Sequence, residues 1–139
     1  MGVYVIWQNA AMPQLDAIGL IVANMAEAMD FYRRLGLHFT LGNDADDHVE
    51  ANGPGGLRIM FDTEESVRSF SVWESPSGSH RMALAFLCDG PAEVDRLHLE
   101  LTTAGAASHL APFDAPWGQR YATVLDPAGN AVDLFAPIR

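Results

Sequence analysis

An acidic residue on the last predicted strand is the first candidate for chemistry. Residues 126–130 read Asp-Pro-Ala-Gly-Asn, which predicts a tight turn because proline fixes φ at about −65° and glycine and asparagine tolerate positive φ. Apolar residues flank this turn, so residues 122–135 predict a β-hairpin. On its second strand Asp133 shares a face with Phe135. A carboxylate there either contacts a ligand or metal ion, or is an exposed acid on an edge strand.

His48 and Glu50 form the second candidate. They lie two residues apart on a predicted strand and therefore share one face, while Val49 and Ala51 share the other. Because the apolar pair suits the helix side of a sheet, His48 and Glu50 are expected to look into a cleft. Either could act there as a general base without a metal ion. Together with Asp133 they could also form a carboxylate-rich metal site of unconventional geometry.

The strands that carry these residues belong to an internal repeat. Each half of the chain predicts a strand, an amphipathic helix and three more strands. The predicted elements of the first half are 17–23, the helix 25–35, and then 37–41, 48–52 and 57–61. Those of the second half are 83–89, the helix 91–105, and then 107–110, 119–125 and 131–135. The organisation is one domain over residues 1–139, with modules at about 15–74 and 80–137 and a Ser/Gly/Pro-rich linker at about 75–79.

The amino-acid composition limits the kinds of molecule that this protein is expected to bind. The net charge of −10 comes from 18 acidic residues against eight arginines, with no lysine. Such a surface repels phosphate backbones, so no nucleic acid is expected, whereas a cationic small molecule would be attracted. The single cysteine, Cys88, lies in an apolar predicted strand and is expected to be a buried structural thiol. Residues 1–7 are apolar but short and lack a basic start, so we expect a cytoplasmic protein with no membrane partner.

The repeat, the turn at 126–130 and the helix pattern at 30–37 (Asp-Phe-Tyr-Arg-Arg-Leu-Gly-Leu) together resemble the vicinal oxygen chelate superfamily. This group includes glyoxalase I, extradiol dioxygenases, fosfomycin-resistance enzymes and bleomycin-resistance proteins. The resemblance runs from residue 15 to residue 137. It implies an α+β fold in which two tandem βαβββ modules form a curved mixed sheet around a cleft. This fold supports lyases, oxygenases, transferases and non-catalytic binding proteins, so it does not choose an activity.

The resemblance also implies where a metal ion would bind. In metal-dependent members, one residue on the first strand and one on the last strand of each half converge on a divalent ion. These positions are Ala17, Met60, Ala83 and Asp133 here. Alanine has no donor atom, and a thioether is a poor ligand for the ions concerned. Because a catalytic ion normally takes at least three protein ligands, we predict no metal at these positions and no cofactor.

A cleft of this composition would suit a small organic ligand. Arg58 is expected either to contact that ligand or to pair with Asp133 or Glu50. Aromatic clusters at 70–73 and 113–118 are expected on loops that cover the cleft or a dimer interface. The predicted ligand-binding residues are Arg58, Met60, Trp73, Phe113, Trp117, Asp133 and Phe135.

Two functional hypotheses follow. The first is a metal-free protein that binds and sequesters a planar or cationic organic molecule, as the bleomycin-resistance branch implies. The alternative is a lyase, isomerase or dioxygenase-type enzyme whose metal site is unconventional or absent, with His48 or Glu50 as the catalytic base. A structural or regulatory domain has no feature in its favour. Since modules of this superfamily often pair between chains, the resemblance also implies a homodimer.

Overall fold

The computed structural model describes residues 13–53 and 56–138, which form two modules of the same order and confirm the predicted α+β class. The segment 1–7 lies outside the described residues. The first module contains β1 (Ala17–Val22), α1 (Met25–Arg34), β2 (His38–Leu41), β3 (His48–Asn52), β4 (Arg58–Thr63) and the short helix α2 (Glu64–Arg68). The second contains β5 (Ala83–Leu87), α3 (Pro91–Thr103), β6 (Ala107–Ala115), β7 (Gln119–Leu125) and β8 (Ala131–Pro137).

Each module contains one four-stranded mixed sheet. The strand orders are β1-β4-β3-β2 and β5-β8-β7-β6, so the first strand of each module pairs with the last. That pairing is parallel and requires a crossover, which α1 and α3 supply, whereas the other pairs are antiparallel. The repeat seen in the sequence is therefore a repeat of sheet topology.

Strand alternation gives each sheet a core side and an open side. Val49, Ala51 and Phe61 are fully buried on the core side of the first sheet, and Val132 and Leu134 are fully buried in the second. The residues between them on the same strands face the opposite way. His48, Glu50 and Asp133 lie on these open sides.

The two modules pack on each other through their helical sides. One apolar core contains Met29 and Tyr32 of α1 together with Leu101 of α3 and Leu134 of β8. Within it the Tyr32 hydroxyl donates a hydrogen bond of 2.8 Å to the carboxylate of Asp126, and both residues are buried. The open sides of the two sheets therefore point away from the core that joins the modules.

The Asp126 carboxylate is held by four donors. One oxygen accepts from the backbone N–H groups of Ala128 and Asn130 at 2.9 and 2.8 Å. The other accepts from the Asn130 side chain at 2.9 Å and from Tyr32. Gly129, with φ of 91°, lets the turn close around the carboxylate. Burial, followed by the charge of Asp126, raises the pKa of Tyr32, which therefore remains a donor.

Most predicted boundaries lie within two residues of the observed ones, and the end of β6 and the helix α2 are the exceptions. β6 was predicted to end at Leu110, but it continues to Ala115, so Phe113 lies on a strand and not on a loop. Pro112 is tolerated because β6 is an edge strand and its register shifts between Leu110 and Phe113. The helix α2 was not predicted, because its five residues are too few to show a period.

The predicted environment of Cys88 is confirmed, since this free cysteine is buried. None of the helices in the described ranges is long and apolar enough to cross a membrane.

Replacing Tyr32 by Phe should lower the free energy of unfolding by about 1 to 3 kcal/mol, because the buried carboxylate of Asp126 loses one of its donors. Urea denaturation measures this change.

The matched control is Tyr121→Phe, which also removes a tyrosine-to-carboxylate hydrogen bond, but at a half-buried position. It should cost less. Equal stability of the Tyr32→Phe variant and the native protein would contradict a structural role for this bond.

Candidate functional site

The open side of the first sheet carries a continuous charge ladder, which we define as Asp62, His48, Glu50, Arg58 and Asp16. His48 Nδ1 lies 2.7 Å from Asp62 and its Nε2 lies 2.8 Å from Glu50. Arg58 continues the ladder by donating to Glu50 at 2.6 Å and to Asp16 at 2.5 Å. Register explains the arrangement, because His48 pairs with Asp62 across β3 and β4, and Glu50 lies in the adjacent row.

His48 bridges two carboxylates. Both of its ring nitrogens lie within hydrogen-bond distance of carboxylate oxygens, which only accept hydrogen bonds when ionised, so this arrangement favours the imidazolium. The hydrogen bonds to Glu50 and then Asp62 accordingly raise the pKa of His48 above its ordinary value. A histidine in this state has no free nitrogen with which to abstract a proton.

Glu50 and Arg58 neutralise each other within the ladder. Hydrogen bonds from His48 and then Arg58 lower the pKa of Glu50, which makes it a weaker base. Hydrogen bonds to Asp16 and Glu50 raise the pKa of Arg58. Of the partners proposed for Arg58, the structure selects Glu50 and not Asp133, which lies in the other sheet.

Asp133 lies on the open side of the second sheet with two hydroxyl donors. Thr123 donates to one oxygen at 2.7 Å and Tyr121 donates to the other. Burial and then the hydrogen bond to Asp133 raise the pKa of Tyr121 to about 12, so the phenol stays protonated. In the described part of the chain no arginine or histidine pairs with Asp133. Its negative charge is therefore left without a cationic partner.

An apolar row, defined as Phe113, Tyr121, Phe135 and Leu87, crosses the four strands of this sheet beside Asp133. Phe113 is paired with Tyr121, Tyr121 with Phe135, and Phe135 with Leu87. Leu87 is 68% exposed. Trp117, in the turn between β6 and β7, extends the row and packs edge-to-face on Tyr121. The row forms an accessible platform on the side of the sheet away from the core.

The positions that the resemblance assigns to metal ligands do not fit a metal ion. Ala17 and Ala83 offer no donor, and both oxygens of Asp133 already accept hydroxyl hydrogen bonds. Met60 lies over Gly19, with its methyl group 3.8 Å from where a glycine Cβ would stand. The side chain thus occupies part of the space left by the small residues of β1.

The alternative metal site built from His48, Glu50 and Asp133 is not formed within this chain, because Asp133 lies in the other sheet. Nor can His48 share an ion with both of its neighbours, since Glu50 and Asp62 contact opposite nitrogens of the ring. Throughout residues 13–53 and 56–138 no three His, Cys, Asp or Glu side chains are arranged to hold a metal ion.

Trp73 differs in setting from the other aromatic candidates. It lies beyond α2, it is half-buried, and the Arg68 guanidinium is 5.2 Å from its ring centroid. One face of the indole is therefore covered by the chain itself. Phe70, from the same predicted cluster, is 77% exposed.

Sequence reasoning missed four members of these surfaces, namely Asp16, Asp62, Tyr121 and Thr123. Asp62 and Thr123 could have been found by extending the strand alternation by one further residue pair. Asp16 precedes the first strand, where no periodic signal operates.

A groove of 720 Å³ lies on the helical side, between α1 and the second module. Its walls are mostly small or apolar, including Ala26, Phe31 and Ala104. Its arginine, Arg34, is already paired with Asp30 at 3.0 Å and Glu100 at 3.7 Å. Among the described residues, no cationic group lining the groove is thus free to recognise a ligand, so the open sides are the stronger candidates for a functional site.

The fold and these open sides can now be compared with known proteins. Residues 14–134 match the model of the Glyoxalase/Bleomycin resistance protein/Dioxygenase superfamily. The chain belongs to this superfamily. The match spans both modules, from before β1 to the middle of β8, and the resemblance inferred from the repeat and the turn is confirmed. Comparison with curated proteins gives no match.

Solved structures of the superfamily share the fold at low identity. A glyoxalase/bleomycin resistance protein/dioxygenase from Nocardioides is 20% identical, with a TM-score of 0.70 over 100% of this chain and 95% of the other. A glyoxalase-related enzyme from Fulvimarina pelagi gives 21%, 0.75, 90% and 88%. A lactoylglutathione lyase from Agrobacterium tumefaciens gives 20%, 0.63, 90% and 94%. Similarity at this level establishes the fold but identifies neither a reaction nor a ligand.

The ladder predicts a pH dependence of stability. The pKa of His48 is raised in the folded chain, so its contribution is complete below the unfolded value of about 6.5 and is lost as pH rises through the folded value. A side-chain NMR titration should place the pKa of His48 above that of an unfolded histidine. Between pH 6 and pH 9 the native protein should lose more stability than the His48→Gln variant.

His98 provides a control of opposite sign, because burial lowers its pKa. Its protonation favours the unfolded chain, so the His98→Gln change should relieve a loss of stability at acid pH. A pKa of His48 at or below the ordinary value would refute the imidazolium assignment.

Proposed function

We propose that this protein binds a small organic molecule against the open side of its second sheet, and that it does so without a resident divalent metal ion. The observation that carries the proposal is the apolar row beside Asp133. It combines accessible aromatic and aliphatic surface with one acid that has no cationic partner among residues 13–53 and 56–138, a composition typical of small-molecule sites. The superfamily includes proteins named for drug resistance, which supports a binding role.

The geometry of the charge ladder favours binding over acid–base catalysis. A general base needs a free lone pair and a pKa near the working pH. His48 has both ring nitrogens engaged, and Glu50 is held ionised by a histidine and an arginine. The ladder therefore supplies a wall of fixed, largely compensated charge, which can orient a polar ligand without exchanging protons with it.

In this proposal a second copy of the chain supplies the opposite side of the binding site. Within one chain each open side faces away from the core that the modules share on their helical sides. The first sheet of one copy can face the second sheet of another, which encloses the ligand between the charge ladder and the apolar row. Exposed Leu87 and Ala85 on β5 are then covered at the interface.

A thermal-shift screen of organic compounds and divalent ions tests the binding proposal. We expect stabilisation by a subset of aromatic or cationic compounds, since a ligand that binds only the folded state raises the melting temperature. Ni²⁺, Zn²⁺, Mn²⁺ and Fe²⁺ should each give no specific shift, and the purified protein should contain much less than one metal ion per chain. Phe135→Ala should weaken the best organic ligand at least about tenfold, since a buried aromatic contact is lost.

Leu99→Ala is the matched control, because Leu99 is 67% exposed but lies on α3, on the helical side. It should leave the affinity unchanged. Stoichiometric metal in the purified protein would refute the metal-free proposal, and a broad library without a single specific ligand would refute binding.

The association of two copies makes a separate prediction. Leu87→Asp should shift sedimentation-velocity profiles from dimer towards monomer and raise the dissociation constant at least about tenfold, because a charge is placed in an apolar interface.

Leu99→Asp introduces the same charge at an equally exposed leucine on the helical side, and it should leave the dimer intact. A native protein that stays monomeric at all concentrations, or equal effects of the two substitutions, would argue against pairing through the open sides.

A further inference from the structure

Asn52, the last residue of β3, differs from the other asparagines that the structure describes. The side chains of Asn24, Asn43 and Asn130 are each held by a local hydrogen bond at a helix cap or in a turn. Asn52 is exposed, and its carboxamide makes no hydrogen bond to any residue within 13–53 and 56–138. The Asn52 side chain can therefore rotate freely.

The residue that follows Asn52 is glycine, and among the five asparagines of the sequence this is true of Asn52 alone. A side chain at the following position hinders the approach of its backbone nitrogen to the asparagine carboxamide, and glycine has no such side chain. Asparagine is also among the thermally labile residue types. Gly53 thus removes the steric obstacle to a reaction between the Asn52 side chain and the main chain.

This reaction is deamidation through a cyclic imide. The Gly53 nitrogen loses its proton to a base in the solvent and attacks the side-chain carbonyl carbon of Asn52. A new C–N bond closes the ring as the C–N bond of the side-chain amide breaks, and the amide nitrogen takes up a proton and leaves as ammonia. Water then opens the ring at either carbonyl, which yields aspartate or isoaspartate. Water is the only co-reactant, and nothing is oxidised or reduced.

The fold slows this attack but does not block it. The Gly53 N–H donates to the Leu57 carbonyl at 3.0 Å, which holds the attacking nitrogen in place. That bond lies beyond the last residue pair between β3 and β4, which is Asn52 with Arg58. Hydrogen bonds at the end of a strand ladder open locally at a small fraction of the global unfolding free energy. Fraying of the strand end therefore releases the nitrogen without unfolding the module.

The product alters the charge ladder. Asn52 shares the open side of β3 with His48 and Glu50, and it lies opposite Arg58 in the register. Residues opposite each other in an antiparallel pair have Cβ atoms about 4.5 to 5.5 Å apart, so an aspartate at position 52 is within reach of the guanidinium. Arg58 already pairs with Glu50 and Asp16. Because the Asp16 side chain is 70% exposed, it is the partner that the new carboxylate would displace.

We propose that Asn52 is a site of spontaneous deamidation in the folded protein and that the aspartate formed there joins the charge ladder at Arg58. The isoaspartate product has a different effect, because its main chain runs through the side-chain methylene, which lengthens the backbone and moves Gly53 relative to Leu57. The inference concerns the first sheet, and it depends neither on a bound ligand nor on a second copy of the chain.

Ageing of the full-length native protein at mildly alkaline pH, followed by mass mapping of its peptides, tests the reaction. We expect the peptide with Asn52 to exchange ammonia for water at least about tenfold faster than any peptide with another asparagine, because only Asn52 precedes glycine. Circular dichroism of the same sample checks that the protein stays folded. Conversion that occurs only in urea would contradict a reaction of the folded protein.

Gly53→Ala is the matched variant. The added Cβ would meet the Leu57 carbonyl oxygen at 3.7 Å, which is an ordinary van der Waals contact, so the fold tolerates it. Conversion at Asn52 should slow at least about tenfold in this variant, because the methyl group hinders the attacking nitrogen. An undiminished rate, or equal rates at all asparagines of the native protein, would overturn the assignment of the site.

Asn52→Asp tests the consequence for the ladder directly, and Asn52→Gln is its neutral control. The side-chain N–H signals of Arg58 in NMR spectra should shift in Asn52→Asp and stay near their native positions in Asn52→Gln. Adding Asp16→Asn should perturb these signals less in Asn52→Asp than in the native protein, because the new carboxylate has replaced the Asp16 contact. Arg58 signals that are unchanged in Asn52→Asp would refute the claim that the product joins the ladder.

Discussion

The architecture depends on one buried hydrogen bond between the modules. The carboxylate of Asp126 sits in an apolar core, where an unsatisfied charge would be strongly destabilising. Its own turn provides three donors, and Tyr32 of the other module provides the fourth. The turn is therefore fully satisfied only when α1 is docked against it. This requirement fixes how the two modules are joined and leaves both sheets open on their outer sides.

The two open sides differ in how their charged side chains are paired. On the first sheet, cross-strand neighbours of opposite sign form a chain of ion pairs from Asp62 to Asp16. On the second sheet, hydroxyl groups and ring edges surround a single acid. The first side carries three carboxylates paired with one histidine and one arginine, whereas the acid of the second side has no ion-pair partner among the described residues. In the proposed pairing of two copies, a ligand between these sides would meet a polar wall on one side and an apolar wall with a local negative charge on the other.

The sequence was sufficient for the parts of this structure that depend on local periodicity. The twofold repeat, the strand faces of His48 and Asp133, and the hairpin after residue 118 all follow from alternation and turn chemistry. Partner choice could not be predicted, because Arg58 had several carboxylates within reach of its strand and only register selects among them. The extension of β6 past Pro112 was hidden for a similar reason, since only an edge position makes a proline acceptable there.

The packing of the modules against each other also could not be predicted from local sequence patterns. Each helix has one apolar stripe, and that stripe can cover its own sheet and still contribute to a second one. Whether the open sides meet within a chain or between chains depends on contacts such as that of Tyr32, which join residues far apart in the sequence.

Strand alternation has a further consequence for how such chains diverge. The helix pattern and the turn that mark the ancestry of this protein are anchored in the core, whereas Asp133 and Phe135 stand on the outer side of β8, each one residue away from a buried neighbour. Selection for folding and selection for ligand binding can therefore act on different residues, which alternate along the same strands. Two homologous proteins can keep the same sequence motifs and still bind different molecules. The core-facing positions carry the family pattern and the outward-facing positions determine ligand specificity, so similarity in the first set says little about the second.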